Sequence, residues 1–83
     1  MKVEEEIELL ISEIKRLGTK DANGIVSVKY GKLFSDDKVA NTFEALLGTL
    51  RAAKKRKIVD FKGEMLLQGV HDDVVVILLK ETL

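Results

Sequence analysis

LLQGVHDDVVVILL, Leu66–Leu79, decides the fold. It holds the single histidine of the chain, His71, with Asp72 and Asp73 directly behind it and an apolar run on either side. Val74, Val75, Val76 and Ile77 are β-branched, which favours strand over helix. They do not alternate with polar residues, so this strand is expected to be covered on both faces. The upstream run EMLLQGV is expected to pair with VVVILLKE across His71-Asp72-Asp73, forming a β-hairpin wing. Aspartate tolerates turn geometry and can accept neighbouring backbone N–H groups, and Gly69 can form a bulge. A turn is therefore favoured over a reactive site. Zinc needs three or four ligands, and the local supply is one imidazole and two adjacent carboxylates. Calcium needs six or more oxygens at spacings absent here. No nucleophile lies nearby, so an enzyme built on His71, Asp72 and Asp73 is the least favoured reading. His71 is retained as a candidate contact for a partner.

Upstream, IVDF reads as β and Lys62-Gly63 as a turn or bulge. Before it, VANTFEALLGTLRAAKKRK reads as one long helix from Val39 to Lys54, opened by the capping signal SDDK. Val39, Phe43, Leu46, Leu47, Leu50 and Lys54 fall on one face, with the Lys54 stem covering apolar surface and its amine in water. Asn41, Ala45, Gly48 and Ala52 form a nearly bare stripe on the far side. That stripe is either packed closely against another helix of the domain or left as a docking face. Arg51, Lys54, Lys55, Arg56 and Lys57 put five positive charges within seven residues. A helix C-terminus favours cations, but five exceed what capping requires. The cluster is thus a candidate site for an acidic partner.

The first segment is an amphipathic helix, with Val3, Ile7, Leu10, Ile11, Ile14 and Leu17 at steps of three and four. Glu4–Glu6 open it and Lys15 and Arg16 close it, as the helix dipole prefers. Gly18 suits a left-handed terminating position. Asn23-Gly24 marks a turn. Ile25–Ser27 reads as a short strand, and Ser27 as the cap of a short helix that buries Tyr30, Leu33 and Phe34. The resulting class is α+β, winged-helix-like: three helices followed by a β-hairpin wing, in the order α-β-α-α-β-β, as one domain over residues 1–83.

Composition narrows the function. Lys+Arg and Asp+Glu are equal at 14 each. General nucleic-acid binders carry a basic excess, so nucleic acid is disfavoured. A DNA-binding winged helix remains the alternative reading. Against it, the N-terminal half of the would-be reading helix holds Asp36, Asp37 and Glu44, and its bare stripe lacks base-reading side chains. The absence of cysteine rules out disulfides and thiolate metal sites and suits a reducing compartment. No run reaches membrane-spanning length, and MKVEEEIELL is too acidic for a signal peptide. No cofactor, metal or membrane is expected, and the chain is expected to be monomeric.

From Lys29 to Leu79 the chain closely resembles the Costars family. The resemblance is carried by KYGKLFSDDK, by the FEAL, GTL, AAK and RKIV segments of the long helix, and by LLQGVHDDV. The opening IELLISEIKRLG fits as well. The chain also resembles the C-terminal actin-binding domain of the actin-binding Rho-activating proteins of striated muscle. The resemblance implies a winged-helix-like domain linked to actin dynamics, cell motility and Rho signalling, cytoplasmic and associated with the cytoskeleton. It implies actin or an actin-associated protein as partner and no enzymatic activity.

Overall fold

The computed structural model describes residues 2–63 and 66–82. Its elements run α1 (Val3–Leu17), β1 (Thr19–Lys20), β2 (Val26–Lys29), α2 (Tyr30–Phe34), α3 (Asp37–Thr42), α4 (Leu46–Lys55), β3 (Val59–Asp60) and β4 (Val75–Leu78). The strands form one antiparallel sheet in the order β1-β2-β4-β3. The fold is α+β. The three-helix order with a terminal wing gives way, among the described residues, to four helices and a four-stranded sheet.

α1 forms as its periodicity predicts. Ile7, Leu10 and Ile14 are wholly buried and Ile11 nearly so. Its buried stripe meets α4, β2 and α2. Gly18 departs from expectation: its backbone is extended (φ −84°, ψ 178°), not left-handed. Glycine is needed there for space, since a Cβ would lie 2.5 Å from the Ser27 carbonyl oxygen and 2.7 Å from that of Ile14. The chain then turns back through an Asx arrangement. Asp21 Oδ1 accepts the amides of Asn23 and Ile25, and Gly24 takes φ +81°. This turn closes a β1–β2 hairpin that the sequence did not reveal. Ser27 lies inside β2, so the position before α2 falls to Lys29.

The long helix expected from Val39 to Lys54 is broken. Phe43 and Ala45 adopt non-helical backbone between α3 and α4. The Thr42 hydroxyl bonds back to the Lys38 carbonyl at 2.6 Å, a pattern that bends helices. The break lets Phe43 enter the core while α3 follows α2 and α4 follows α1. α4 is also rotated from the expected face. Thr49, Leu50 and Ala53 are buried, whereas Gly48, Arg51 and Lys55 face water.

The expected hairpin across His71-Asp72-Asp73 is replaced as well. Leu66–Val70 is loop and turn, and Glu64 and Met65 of the expected upstream strand lie outside the described residues. β4 pairs instead with β2 and β3, Val28 opposite Val76 and Val59 opposite Leu78. Alternate residues Val26, Val28, Val59, Val76 and Leu78 point into the core. A buried carboxylate ties α1 to α3. The Glu13 side chain is 5% exposed, 2.5 Å from Arg16 and 3.3 Å from Lys38, and Arg16 also holds Asp36 at 2.5 Å. The Arg16 guanidinium keeps the Asp36 carboxyl below the usual range. A buried charge left unpaired would be costly.

Two glycines give opposed expectations. A Cβ on Gly31 would lie 2.9 Å from Asp72 Cβ and 3.2 Å from its carbonyl oxygen, whereas one on Gly48 would meet only Ala45 Cβ at 3.7 Å. Gly31→Ala should destabilise by about 1–3 kcal/mol through overpacking. Gly48→Ala should stabilise by about 0.5–1 kcal/mol through helix propensity. Thermal unfolding midpoints moving in opposite directions are the expected result.

Candidate functional site

The cations cluster where α4 ends, and the local backbone explains their arrangement. Lys57 donates its amide to the Lys54 carbonyl at 3.0 Å, and Ile58 donates to the Ala53 carbonyl at 2.9 Å. This is the Schellman pattern of helix termination, and Ile58 and Ala53, both buried, supply its apolar contact. The left-handed position of that motif, normally glycine, is occupied by Lys57 at φ 60°. Among the described residues it is the one non-glycine residue with positive φ.

The five predicted site residues on this element do not behave alike. Arg51, Lys55 and Lys57 are exposed, and none is within salt-bridge distance of a carboxylate among the described residues. Arg56 is exposed and lies 4.0 Å from Glu4. Lys54 is committed internally. Its amine donates to the Phe61 carbonyl at 2.6 Å and the Gly63 carbonyl at 2.7 Å, and it sits 4.4 Å from the Phe61 ring centroid. The amine expected in water is thus a latch that holds the chain after β3 against α4. Gly48 and Ala52 of the bare stripe join Arg51 and Lys55 around a solvent-open hollow of about 590 Å³. Gly48 and Ala45 are exposed, so no helix of the domain covers them.

His71, the sixth predicted residue, belongs to a different element. Its Nδ1 accepts the Leu67 amide at 2.8 Å, and its own amide donates to the Leu67 carbonyl at 2.9 Å. That lone pair is therefore engaged in closing a turn. Asp72 Oδ1 accepts the Gly69 amide at 2.6 Å, and Asp73 lies 3.5 Å from Lys29 Nζ. The carbonyls of Asp72 and Val74 accept the amides of Gly31 and Tyr30, each at 2.9 Å. His71-Asp72-Asp73 thus forms a turn, as expected. It leads into β4 and docks on the start of α2 instead of joining two strands. Among the described residues no three His, Asp or Glu side chains converge to hold a metal, and no helix is long and apolar enough to cross a membrane.

Sequence reasoning missed the Lys54 latch, the left-handed Lys57 and the Gly31–Asp72 contact. The first had a weak signal, a lysine placed on the apolar stripe. The other two depend on backbone geometry that composition does not encode.

Comparison with known proteins places the chain among relatives over nearly all its length. The protein-family model described as Costars matches residues 2–79. "Costars family protein ABRACL" of Coturnix coturnix is 65% identical over 81 residues, covering 98% of this chain and 100% of that protein. Its counterparts from Homo sapiens and Bos taurus are 64% and 63% identical with the same coverage. The solution structure of human HSPC280 protein superposes with a TM-score of 0.86 at 65% identity, covering 96% of this chain and 94% of that one.

Lys54→Met should cost about 0.5–1.5 kcal/mol, because the part-buried Phe61 carbonyl and the exposed Gly63 carbonyl exchange their donor for water. Amide hydrogen exchange of the described segment 58–63 should rise with it. Unchanged stability and exchange would contradict the latch. A second expectation concerns Tyr30, the single tyrosine in a chain without tryptophan. Burial, with the Asp72 charge adding to it, pushes its hydroxyl above the usual value. Its protonated form therefore contributes stability that is fully present below the unfolded value near pH 10 and is lost as pH rises through the folded value. Absorbance at 295 nm should titrate later in the folded protein than in urea. Tyr30→Phe should flatten the decline in stability above about pH 10.

Proposed function

The chain belongs to the Costars family, and on that premise we propose that it is a non-enzymatic regulator of actin cytoskeleton dynamics, acting in the cytoplasm through actin or an actin-associated protein. Its contact would be the exposed cations Arg51, Lys55 and Lys57, with Arg56 beside them. The observation that carries this is Lys57. A side chain at a left-handed position is disfavoured relative to glycine by about 1 kcal/mol. Stability alone would favour glycine there, and a positive charge standing in its place suits a function for that charge. Net charge supports a local contact over general polyanion binding, because the chain as a whole is neutral. Actin presents a strongly acidic surface, so complementary charge would steer encounter and fix register more than it would supply affinity.

The helices ahead of an antiparallel pair, β3 and β4, keep the winged-helix likeness as part of this reading. Under it, α4 serves as a protein-binding helix and does not read DNA. The stretch of α4 nearest its N-terminus offers Leu46, Leu47 and Gly48, none of which can hydrogen-bond a base edge through its side chain. The domain would act as a monomer, with Arg51, Lys55, Arg56 and Lys57 as its contact and His71 serving the fold of its own loop.

Each exposed ion pair contributes about 0–1 kcal/mol and weakens with salt. Co-sedimentation with filamentous actin, at low and at physiological ionic strength, is the direct test. A combined Arg51→Glu, Lys55→Glu and Lys57→Glu variant, with Lys54 left intact, should lower pelleting affinity by about tenfold or more. Lys57→Gly should raise the unfolding midpoint while weakening the same binding, which separates the fold from the contact. Unchanged pelleting by both variants would remove the cationic site. Absence of wild-type pelleting, together with failure to recover actin or its associated proteins by crosslinking from cell extract, would remove the actin reading itself.

A further inference from the structure

The loop that closes the β1–β2 hairpin carries Asn23-Gly24 at its tip. Asp21 pairs with Ile25, its amide donating to the Ile25 carbonyl at 2.9 Å, and Gly24 donates its amide to the Asp21 carbonyl at 3.0 Å. The loop is thus a turn followed by a left-handed residue, Gly24 at φ +81°. Asp21 Oδ1 braces the same loop, accepting the amides of Asn23 at 2.8 Å and Ile25 at 3.0 Å. The Asn23 side chain takes no part in this. The residue is exposed, and its carboxamide has no hydrogen-bond partner among the described residues. A Cβ on Gly24 would meet nothing within 4 Å, so the space beside it is open. The chain has one other asparagine, Asn41, which lies within α3 and precedes the β-branched Thr42.

An asparagine followed by glycine is set for an intramolecular reaction, because glycine puts no side chain beside the attacking nitrogen. The Gly24 nitrogen gives its proton to hydroxide or a buffer base and attacks Asn23 Cγ. The N–Cγ bond forms, the Cγ–Nδ2 bond breaks, and the side-chain nitrogen takes a proton from solvent and leaves as ammonia. The product is a cyclic imide, which water then opens. Cleavage of the N–Cγ bond leaves aspartate. Cleavage between the nitrogen and the main-chain carbonyl carbon leaves isoaspartate, whose backbone runs through Cβ and Cγ. Water is the sole co-reactant and nothing is oxidised or reduced. In the closed loop the attack is held back, since the Gly24 N–H is committed to the Asp21 carbonyl. It begins when the loop opens. β1 is a strand of 2 residues, both exposed, at the edge of the sheet, and such segments open at far lower cost than the core. At Asn41 the same attack is hindered by helical backbone and by the branched side chain of Thr42.

We propose that Asn23-Gly24 is a self-modification site, at which spontaneous deamidation of Asn23 is gated by opening of the β1–β2 hairpin and converts the loop into a form that no longer closes. The new carboxylate stands two residues from Asp21, whose own carboxylate is the acceptor that braces the loop. Isoaspartate also lengthens the main chain inside a closure built on hydrogen bonds to and from Asp21. Thr19 and Lys20 then lose their pairing with Ser27 and Val26. β2 keeps its other neighbour, with Ser27 opposite Ile77 and Lys29 opposite Val75, so the change stops at β1. The formally neutral chain gains one negative charge. Hydrolysis of the imide does not restore asparagine, so the mark runs one way and accumulates with the age of the molecule. It involves none of the cations around α4 and stands or falls without reference to actin.

The ¹⁵N-labelled protein is incubated at mildly alkaline pH, folded and in urea. Peptide mapping separates the asparagine, aspartate and isoaspartate forms, and amide spectra follow the fold. Asn23 should convert to a mixture of aspartate and isoaspartate while Asn41 stays intact. Amide shifts in the folded product should be confined to Thr19–Ser27, leaving Val75–Leu78 in place. Asp21→Ala, which removes the acceptor of two loop amides, should speed conversion about two- to tenfold. The urea-unfolded chain should convert fastest. Asn23→Gln, whose longer side chain would have to close a larger ring, should keep the hairpin amides in place and remain unmodified. Conversion of Asn41 at an equal rate in the folded protein would overturn the proposal. So would Asn23 remaining intact there long after the unfolded chain has converted, or an unchanged rate in a folded Asp21→Ala variant.

Discussion

Everything in this domain is organised by the burial of one stripe on α1. Ile7, Leu10 and Ile14 have no exposed surface, and the helix touches α4, β2 and α2. A chain of 83 residues buries only about two-thirds of the surface its unfolded form exposes, so a single helix must serve as the common wall for nearly every other element. The sheet presents its Val26–Val28 and Val76–Leu78 face to that wall, and α4 closes it with Leu50 and Ala53. Ala53 is wholly buried and small, which lets α4 approach its neighbours closely. The polar tie on the same helix, Glu13 with Arg16, Lys38 and Asp36, fixes where α3 begins.

One wall has a structural consequence. Elements that meet α1 are covered on the side that meets it and bare on the other. This leaves Val75 and Ile77 on an open sheet face and Ala45, Gly48 and Arg51 on an open helix face. Neither surface is deep. The hollows beside them are open to water, unlike the water-excluding clefts in which ionisable groups acquire the shifted acidities of catalysis. Asp36, Arg16 and Glu81 respond to ion pairs, and Tyr30 responds first to burial.

Local signals were legible in the sequence and tertiary ones were not. α1 follows from its apolar spacing and terminal charges, and the Asp21–Ile25 turn from Asn23-Gly24. The short helix over Tyr30, Leu33 and Phe34 follows from its apolar triplet. The break at Phe43–Ala45 has no proline or glycine to announce it; it arises because α3 and α4 pack on different helices. The apolar run next to β4 reads as a local hairpin partner, whereas its actual neighbour, β2, lies 46–50 residues upstream by register, a separation that local pattern does not encode. The continuous Val74–Ile77 run suggested two covered faces, and the chain supplies one. Of the six site residues read from the sequence, Lys54 and His71 are engaged within the fold, which periodicity and charge counting cannot foresee. The spare positive charge around α4 was legible as a cluster, but its division between latch and free contact was not.

The division of labour within that cluster bears on affinity. Lys54 commits its donors to two carbonyls and a ring face, so its amine is already engaged before any partner arrives. Arg56 leans toward Glu4. What remains for recognition is a triad of exposed cations, and three such pairs give at most about 3 kcal/mol. That corresponds to a millimolar contact or weaker if it acts alone. If these cations are the proposed contact, a working affinity would require a second contact, and the two open faces left by a single-walled core are where one could form. Two weak contacts on one rigid body combine through effective concentration. Occupancy can then be high when both are engaged and still be lost quickly when either is released. Under the actin reading proposed above, rapid exchange of this kind would suit a regulator of a polymer that continually gains and loses subunits better than a permanent clamp would.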